Sequence, residues 1–291
     1  MNSEVVFMEA CEFVGIVGTG TMGSGIAQAA ALADFRVIAI DVMNASIDKA
    51  KAEIEKSLGR LVNKGTITSE AAEAATTRIA FSTDYNDLVN ADVVVEAATE
   101  AAELKRTILR RISAIAKPSA LIATNTSSLS VTSLASEIGA PKQFVGIHFF
   151  NPVAVMPLVE IVKGVETADS TCDRALALSK ALGKTPILVK NSAGFVVNRL
   201  LIPMINEAFF LLGENVASAL EIDQGMRLGA NHPMGRLSLA DLIGLDVCLA
   251  IMQVLATDTG DSKYRAAPLM RELVASGRLG RKAGRGVFSY G

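Results

Sequence analysis

The fold is decided by residues 13–41, which read FVGIVGTGTMGSGIAQAAALADFRVIAID. Two short apolar runs, at 13–18 and 36–41, flank an alanine-rich segment at 22–33 with the composition of a helix. A G-x-G-x-x-G loop joins the first run to this segment, and an aspartate closes the second run. This order predicts a strand–loop–helix–strand unit that binds a dinucleotide.

Each glycine of the loop has a separate role in that prediction. Gly18 permits the tight turn, Gly20 lets a pyrophosphate approach the backbone, and Gly23 lets the helix pack closely on the strand. We expect Thr21 and Met22 to present backbone N–H groups to the phosphates at the helix N-terminus. An ordinary glycine turn is the alternative, and the surrounding strands and helix argue against it.

Asp41 closes the second run and predicts the choice of cofactor. Its carboxylate is placed to accept hydrogen bonds from the adenosine ribose hydroxyls, and it would repel a 2′-phosphate. Val42 and Met43 supply no compensating cation, so the sequence favours NAD over NADP.

The rest of the chain continues this pattern and then changes. We predict further strands at 79–81, 93–97, 121–124, 144–150, 158–162 and 186–189. A long amphipathic helix is predicted from the helical spacing of Ile47, Ile54, Leu58, Leu61 and Val62, with Gly65 ending it. Further helices are predicted at about 69–78, 102–115, 130–138, 170–182, 194–213, 218–228, 238–256 and 264–276. The fold class is therefore α/β: a doubly wound, Rossmann-type sheet domain at 1–190, followed by an all-helical domain at 191–291.

Composition excludes several classes of protein. The net charge of −2 argues against a general nucleic-acid binder. Cys11, Cys172 and Cys248 lie far apart, form no metal-ligand pattern, and are expected to be reduced, buried thiols. The most apolar segment, 194–213, is interrupted by polar residues and by Pro203, so no membrane span is expected. Residues 1–12 carry acids and no targeting pattern, which predicts a ragged extension of a cytoplasmic protein.

A histidine and a glutamate are predicted to meet across two strands. The sequence VGIHFF-NPVAVMP-LVEIVKG indicates two strands joined by a loop, and His148 and Glu160 are equally distant from Ala154 at its centre. Directly opposed side chains of an antiparallel pair share one face. A carboxylate there can orient an imidazole as a general base, although a hydrogen-bonded core histidine would leave the same pattern. His232, the chain's other histidine, is expected to shape a turn or cap a helix.

A polar cluster, Thr124-Asn125-Thr126-Ser127-Ser128, follows the predicted strand at 121–124. Loops beyond the carboxyl ends of strands in doubly wound sheets bind ligands. The same residues could instead begin the next helix, for which Ser130 is the better cap.

Together these segments closely resemble the L-3-hydroxyacyl-coenzyme A dehydrogenase family. The resemblance is carried by GTGTMGSGIAQ, Asp41, TNTSSLS, GIHFFNPVAVMPLVEIV and NSAGFVVNRLLIPM, and it covers nearly the whole chain after residue 12. The C-terminal stretch, from GMRLGANHPMGRLSLADLIGLD to GRLGRKAGRGVFSY, is similar to the short-chain, bacterial branch of the family.

The resemblance implies roles for particular residues. It implies a catalytic set of four residues. In that set His148 is the general base, Glu160 is the acid that orients it, and Ser127 and Asn198 hold the substrate. For the cofactor it implies Gly18, Gly20, Thr21, Met22, Gly23 and Asp41, with Glu100, Lys105 and Asn125 on the nicotinamide side. For coenzyme A it implies Ser57 and Lys64, and without the resemblance Lys64 would be read as a solvated helix-end charge.

Three positions depart from the family's usual pattern, and none touches the proposed chemistry. Ala101 stands where asparagine is frequent, Arg236 replaces a proline in M-G-P-L, and Ala266 replaces the first proline of Y-R-P-x-P-L.

The resemblance implies reversible, NAD-linked oxidation of a short 3-hydroxyacyl-CoA, with the acyl chain held between the two domains. It also implies a homodimer formed through the helical domain. Two other functions remain open from sequence: a dehydrogenase of a free hydroxy acid or sugar acid, and a non-catalytic structural relative of the kind found in the eye lens. A complete set of Ser127, His148, Glu160 and Asn198 argues against the second.

Overall fold

A computed structural model of the chain describes residues 11–291. The predicted extension at 1–12 lies almost wholly outside the described residues. The chain divides into two compact units, the first ending at Ser192 and the second beginning at Ala193.

The first unit is built on one eight-stranded sheet, with strand order β3-β2-β1-β4-β5-β6-β7-β8. The strands are β1 Phe13–Val17, β2 Arg36–Ile40, β3 Ile79–Ser82, β4 Val93–Glu96, β5 Leu121–Thr124, β6 Phe144–Phe149, β7 Leu158–Lys163 and β8 Thr185–Lys190. All neighbours pair in parallel except β6 and β7, which are antiparallel. The predicted doubly wound sheet is confirmed.

Helices cover both faces of this sheet, as its buried central strands require. They are α1 Thr21–Leu32, α2 Asn44–Asn63, α3 Ser69–Thr77, α4 Ala102–Ile115, α5 Val131–Leu134 and α6 Asp169–Ala181. Every residue of β4, β5 and β6 is buried. The predicted helix at 130–138 is instead the short α5 followed by a 3₁₀ turn at Ala135–Glu137, and Ser130 caps it as expected.

This topology positions the candidate site. The carboxyl ends of β1, β4, β5 and β6 are neighbours along one edge of the sheet, because these four strands pair in parallel. The strand order reverses between β1 and β4, and ligands of doubly wound sheets bind outside such a switch point.

The second unit is helical and has its own apolar core. Its helices are α7 Val197–Gly213, α8 Ala219–Gly229, α9 Arg236–Ile243, α10 Leu245–Thr259 and α11 Pro268–Ala275. The predicted helix at 264–276 is shorter, because a 3₁₀ turn at Ser262–Tyr264 precedes Pro268, which begins α11.

The prediction of one helix at 238–256 was wrong. The chain breaks at Gly244, whose φ of 107° an L side chain rarely adopts, and α9 and α10 meet there at 96°. Within residues 11–291 no helix is long and apolar enough by itself to cross a membrane, although α9 and α10 taken together have the length and composition.

All three cysteines are buried free thiols, as predicted. Burial raises the pKa of Cys11 and of Cys248 to about 12 in each case, which keeps both thiols protonated at neutral pH.

Candidate active site

The glycine loop between β1 and α1 packs closely on the protein at Gly18 and Gly23, and at Gly20 it leaves space where a phosphate would lie. A Cβ on Gly23 would come within 1.8 Å of the Gly18 carbonyl oxygen, and one on Gly18, at φ 97°, within 2.8 Å of the Ala98 nitrogen. A Cβ on Gly20 would meet no heavy atom within 4 Å. The loop therefore has the close packing and the open backbone that the three glycines predict.

The N-terminus of α1 provides the matching charge. Gly20 is the N-cap residue, no side chain caps the helix, and its first turn contains no acid. The exposed N–H groups and the helix dipole favour an anion here, so the loop fits the pyrophosphate of a dinucleotide.

Asp41 lies against this loop at the end of β2. Its Oδ2 accepts hydrogen bonds from the Thr19 backbone nitrogen at 3.0 Å and from the Thr19 hydroxyl at 3.1 Å. The following Val42 and Met43 are 69% and 59% exposed. A ribose bound at Asp41 would therefore have apolar side chains beside it and no lysine or arginine from these two positions.

A buried ion pair lies beside the loop, and the sequence identified only half of it. Lys105 on α4 is fully buried, and its Nζ donates to both carboxylate oxygens of Glu96 at 2.9 and 2.8 Å. Glu96, also fully buried, accepts two more hydrogen bonds, from the Ala98 nitrogen and the Thr124 hydroxyl. This pair joins the carboxyl ends of β4 and β5 to α4.

Glu100 organises the polar loop that follows β5. One of its oxygens accepts hydrogen bonds from the Thr126 hydroxyl at 2.6 Å and from the backbone nitrogens of Ser127 and Ser128 at 2.8 and 3.0 Å. Burial alone would raise the pKa of Glu100, but the charge of Lys105 and these hydrogen bonds outweigh it. The pKa therefore lies below its usual value and Glu100 is a carboxylate at neutral pH.

Asn125 and Ser127 are held in this loop at the carboxyl end of β5. The Asn125 Oδ1 accepts a hydrogen bond from the Phe149 nitrogen at 2.9 Å, which ties the loop to the end of β6. The Ser127 hydroxyl lies 3.3 Å from Glu100. Both residues are thus placed at the same sheet edge as the glycine loop.

His148 and Glu160 pair as their spacing predicts. The β6–β7 register places them directly opposite each other, and the His148 Nδ1 lies 2.7 Å from the Glu160 Oε2. Both side chains are buried, and the Phe150 ring packs on the imidazole at 4.5 Å between centroids. A carboxylate at Nδ1 holds the proton on that nitrogen, so Nε2 is the basic atom of the neutral ring.

The turn between these two residues is fixed by a lysine that sequence reasoning missed. The Lys184 Nζ donates to the carbonyl oxygens of Val153 and Met156. Desolvation lowers the pKa of Lys184 from its ordinary value. The interaction holds the loop whose geometry sets the His148–Glu160 register.

A cavity of about 520 Å³ opens beside the glycine loop, between α1, α2 and the turn at 151–154. Ser57 lines it, as do Lys49, Glu53 and Arg60, which are the charged residues among those described that line the cavity. Lys64 does not line the cavity: it is exposed at the C-cap of α2, one turn beyond Arg60. Lys49 and Arg60 are therefore cations that line the cavity, with Glu53 between them along α2.

The remaining two sequence-predicted residues lie in the second unit. Asn198 is half-buried on the first turn of α7. His232 lies in the loop between α8 and α9, where its backbone nitrogen bonds to the Met226 carbonyl.

Some residues of the site left a signal in the sequence and others did not. Glu96 is an acid at the end of the apolar run VVV, which indicates a satisfied buried charge or a functional group. Lys49 and Arg60 sit on the amphipathic α2 among other polar residues, so only the fold shows that they line a cavity, whereas Gln28 is a polar residue among the alanines of α1.

Comparison with known proteins identifies the family of both units. The NAD-binding domain of 3-hydroxyacyl-CoA dehydrogenase matches residues 13–192, and the C-terminal domain of the same family matches residues 194–290.

Individual relatives agree over nearly the whole chain. A probable 3-hydroxybutyryl-CoA dehydrogenase of Deinococcus radiodurans is 48% identical over 95% of this chain and 99% of its own. The crystal structure of (S)-3-hydroxybutyryl-CoA dehydrogenase from Ralstonia eutropha superposes with a TM-score of 0.94 at 54% identity, covering 97% of this chain and 99% of that one. The 3-hydroxyadipyl-CoA dehydrogenase of Escherichia coli K12 is 38% identical over 95% of this chain and 58% of its own length. The chain therefore belongs to the 3-hydroxyacyl-CoA dehydrogenase family and is an NAD-dependent oxidoreductase.

Proposed function

We propose that the chain catalyses the reversible oxidation of (S)-3-hydroxybutyryl-CoA to acetoacetyl-CoA, with NAD as the oxidant. The observation that carries the proposal is the His148–Glu160 pair, held at 2.7 Å on the sheet edge where the glycine loop also lies. The names of the relatives in Deinococcus radiodurans and Ralstonia eutropha support the substrate.

In this proposal His148 is the general base. Its Nε2 takes the proton of the 3-hydroxyl group as the hydride leaves C3, and Glu160 stabilises the imidazolium that forms. When bound, NAD supplies the hydride acceptor. In the reductive direction, His148 returns the proton to the oxygen of the 3-keto group.

Ser127 and Asn198 are proposed to hold the substrate oxygens so that C3 stays aligned for hydride transfer. The Ser127 hydroxyl makes only a long contact with Glu100, so it can turn to a substrate oxygen at little cost. Positioning of this kind supplies much of the rate of such transfers.

The cavity beside the glycine loop is proposed to take the coenzyme A part of the substrate. Ser57 and Arg60 line the cavity toward the C-terminal end of α2, and Lys64 at the C-cap adds a second cation there that can meet phosphates. Lysine and arginine pair strongly with phosphate oxygens.

The first experiment mixes purified protein and acetoacetyl-CoA with NADH or NADPH and follows loss of the reduced cofactor's absorbance. We expect rapid turnover with NADH and at least about tenfold lower kcat/KM with NADPH, because Asp41 repels the 2′-phosphate. Equal kcat/KM values with NADH and NADPH would show that Asp41 does not select between the two cofactors. If the protein oxidises free hydroxy acids but does not turn over acetoacetyl-CoA, its substrate is a free hydroxy acid and not the coenzyme A thioester.

We also propose that the protein is a homodimer through its helical unit. Eight of the fifteen large apolar side chains that are most exposed among the described residues follow residue 192, including Leu200, Met204, Leu220 and Leu228. Leu200 and Met204 lie one turn apart on α7, and neighbouring exposed apolar side chains of this kind mark interaction sites. Light scattering should give twice the 30.5 kDa mass of the chain, and Leu200→Glu combined with Leu228→Glu should shift it to the monomer. A monomeric native protein would contradict this proposal.

A further inference from the structure

A glutamine that lines the α1–α2 cavity has a side-chain nitrogen that bonds to no other group among the described residues. Gln28 lies one turn beyond Ser24 on α1, and both side chains line the cavity. Gln28 is 3% exposed, and its Nε2 has no hydrogen-bond partner among the described residues. By contrast, the Ser24 hydroxyl is satisfied by the Thr19 carbonyl at 2.9 Å.

A buried amide donor without a partner is rare, because its lost hydration is not replaced. Such a group in a cavity indicates a ligand that brings the missing acceptor. A carboxamide has both a donor and an acceptor, so its best partner is another amide.

The walls of the cavity restrict that ligand further. Ala50, Ile54, Pro152 and Val153 give it apolar sides. Its other polar groups are hydroxyls, the Asn151 amide and the backbone of the glycine loop, and its charged side chains are the exposed Lys49, Glu53 and Arg60 of α2. A suitable ligand is a flexible chain that has amides in the middle and negative charge at the far end.

We propose that Gln28 binds an amide of the pantetheine arm of the acyl-CoA substrate. The inference rests on the proposed function and goes beyond it by naming the residue that recognises the arm. Pantetheine carries two amides on an aliphatic chain, between the thioester and the phosphates of coenzyme A. Gln28 takes no part in proton or hydride transfer, and it places the thioester by holding the arm.

The test is Gln28→Met, which keeps the length and burial of the side chain but removes both hydrogen-bonding atoms. We expect kcat/KM for acetoacetyl-CoA to fall by about three- to tenfold, mainly through KM, since one hydrogen bond to the arm is lost. The KM for NADH should not change. The melting temperature should not fall, because Gln28 Nε2 has no partner within the described residues.

Shortened substrates distinguish recognition of the pantetheine arm by Gln28 from a general effect of the substitution on the active site. Acetoacetyl-pantetheine keeps both amides, so it should show the same loss on Gln28→Met as acetoacetyl-CoA. The ethyl thioester of acetoacetate has no amide, so native protein and Gln28→Met should reduce it at equal kcat/KM. Gln143→Met, before β6 at the amino end of that strand, is the matched control and should behave as the native protein with all three substrates.

Each other outcome counts against the proposal. An equal loss with the ethyl thioester would show that Gln28 acts on the active site generally and not on the arm. A lowered melting temperature, or a variant that does not fold, would make Gln28 a structural residue. If native protein does not reduce acetoacetyl-CoA at all, the proposed function fails first, and that result is seen before any variant is made.

Discussion

Replacement of His148 by glutamine should lower kcat for acetoacetyl-CoA by about 10³-fold, within the range that general acid–base catalysis contributes. Glutamine can occupy the same space and accept a hydrogen bond, but it cannot exchange a proton with the substrate oxygen. The affinity for NADH should stay within about twofold, because the glycine loop and Asp41 lie on other strands. Steady-state kinetics and fluorescence titration of NADH measure the two effects.

Two further variants sharpen this result. Glu160→Gln should lower kcat by roughly 10²-fold, since the imidazolium loses its stabilising negative charge. His232→Gln replaces the chain's other histidine, in the loop between α8 and α9, and should leave kcat unchanged. If His148→Gln keeps most of the native kcat, His148 is a core residue and another group moves the proton.

Replacement of Lys105 by methionine should destabilise the protein by about 3–5 kcal/mol, the typical result of breaking a buried ion pair. Glu96 would keep its charge in a fully buried position without the Nζ that now bonds both of its oxygens. For a unit of this size we expect a fall of about 10 °C in the melting temperature. Urea unfolding followed by circular dichroism measures the free energy.

The double variant Glu96→Gln and Lys105→Met should recover much of that loss, because it removes both buried charges. Lys51→Met is the exposed control: Lys51 lies 3.7 Å from Asp48 and both are largely solvated, so the loss should stay below about 1 kcal/mol. Equal effects of Lys105→Met and Lys51→Met would show that the Glu96–Lys105 pair does not hold β4, β5 and α4 together.

The sequence was most informative where a local pattern determines geometry. The βαβ unit at 13–41 follows from the glycine loop and the acid, and β1 and α1 begin at Phe13 and Thr21, within one residue of the predicted starts. The pairing of His148 with Glu160 was predictable because a short loop joins two apolar strands and fixes their register.

The sequence was least informative where distant segments meet. The partner of Lys105 could not be predicted, because Glu96 reaches it only after β4 and α4 pack together. The cavity beside α1 depends on α2 and on the turn at 151–154, which are far apart in the chain. The break at Gly244 was missed because a glycine inside an apolar periodic segment also fits a continuous helix.

The most direct test of the account compares acetoacetyl-CoA with free acetoacetate as the oxidant of NADH. Binding energy from a remote part of the substrate is used in the transition state, so a site built for coenzyme A loses rate when that part is removed. The account predicts that kcat/KM for acetoacetyl-CoA exceeds that for acetoacetate by at least about 10³-fold. Equal values, or a preference for the free acid, would contradict it and make the protein a dehydrogenase of free hydroxy acids.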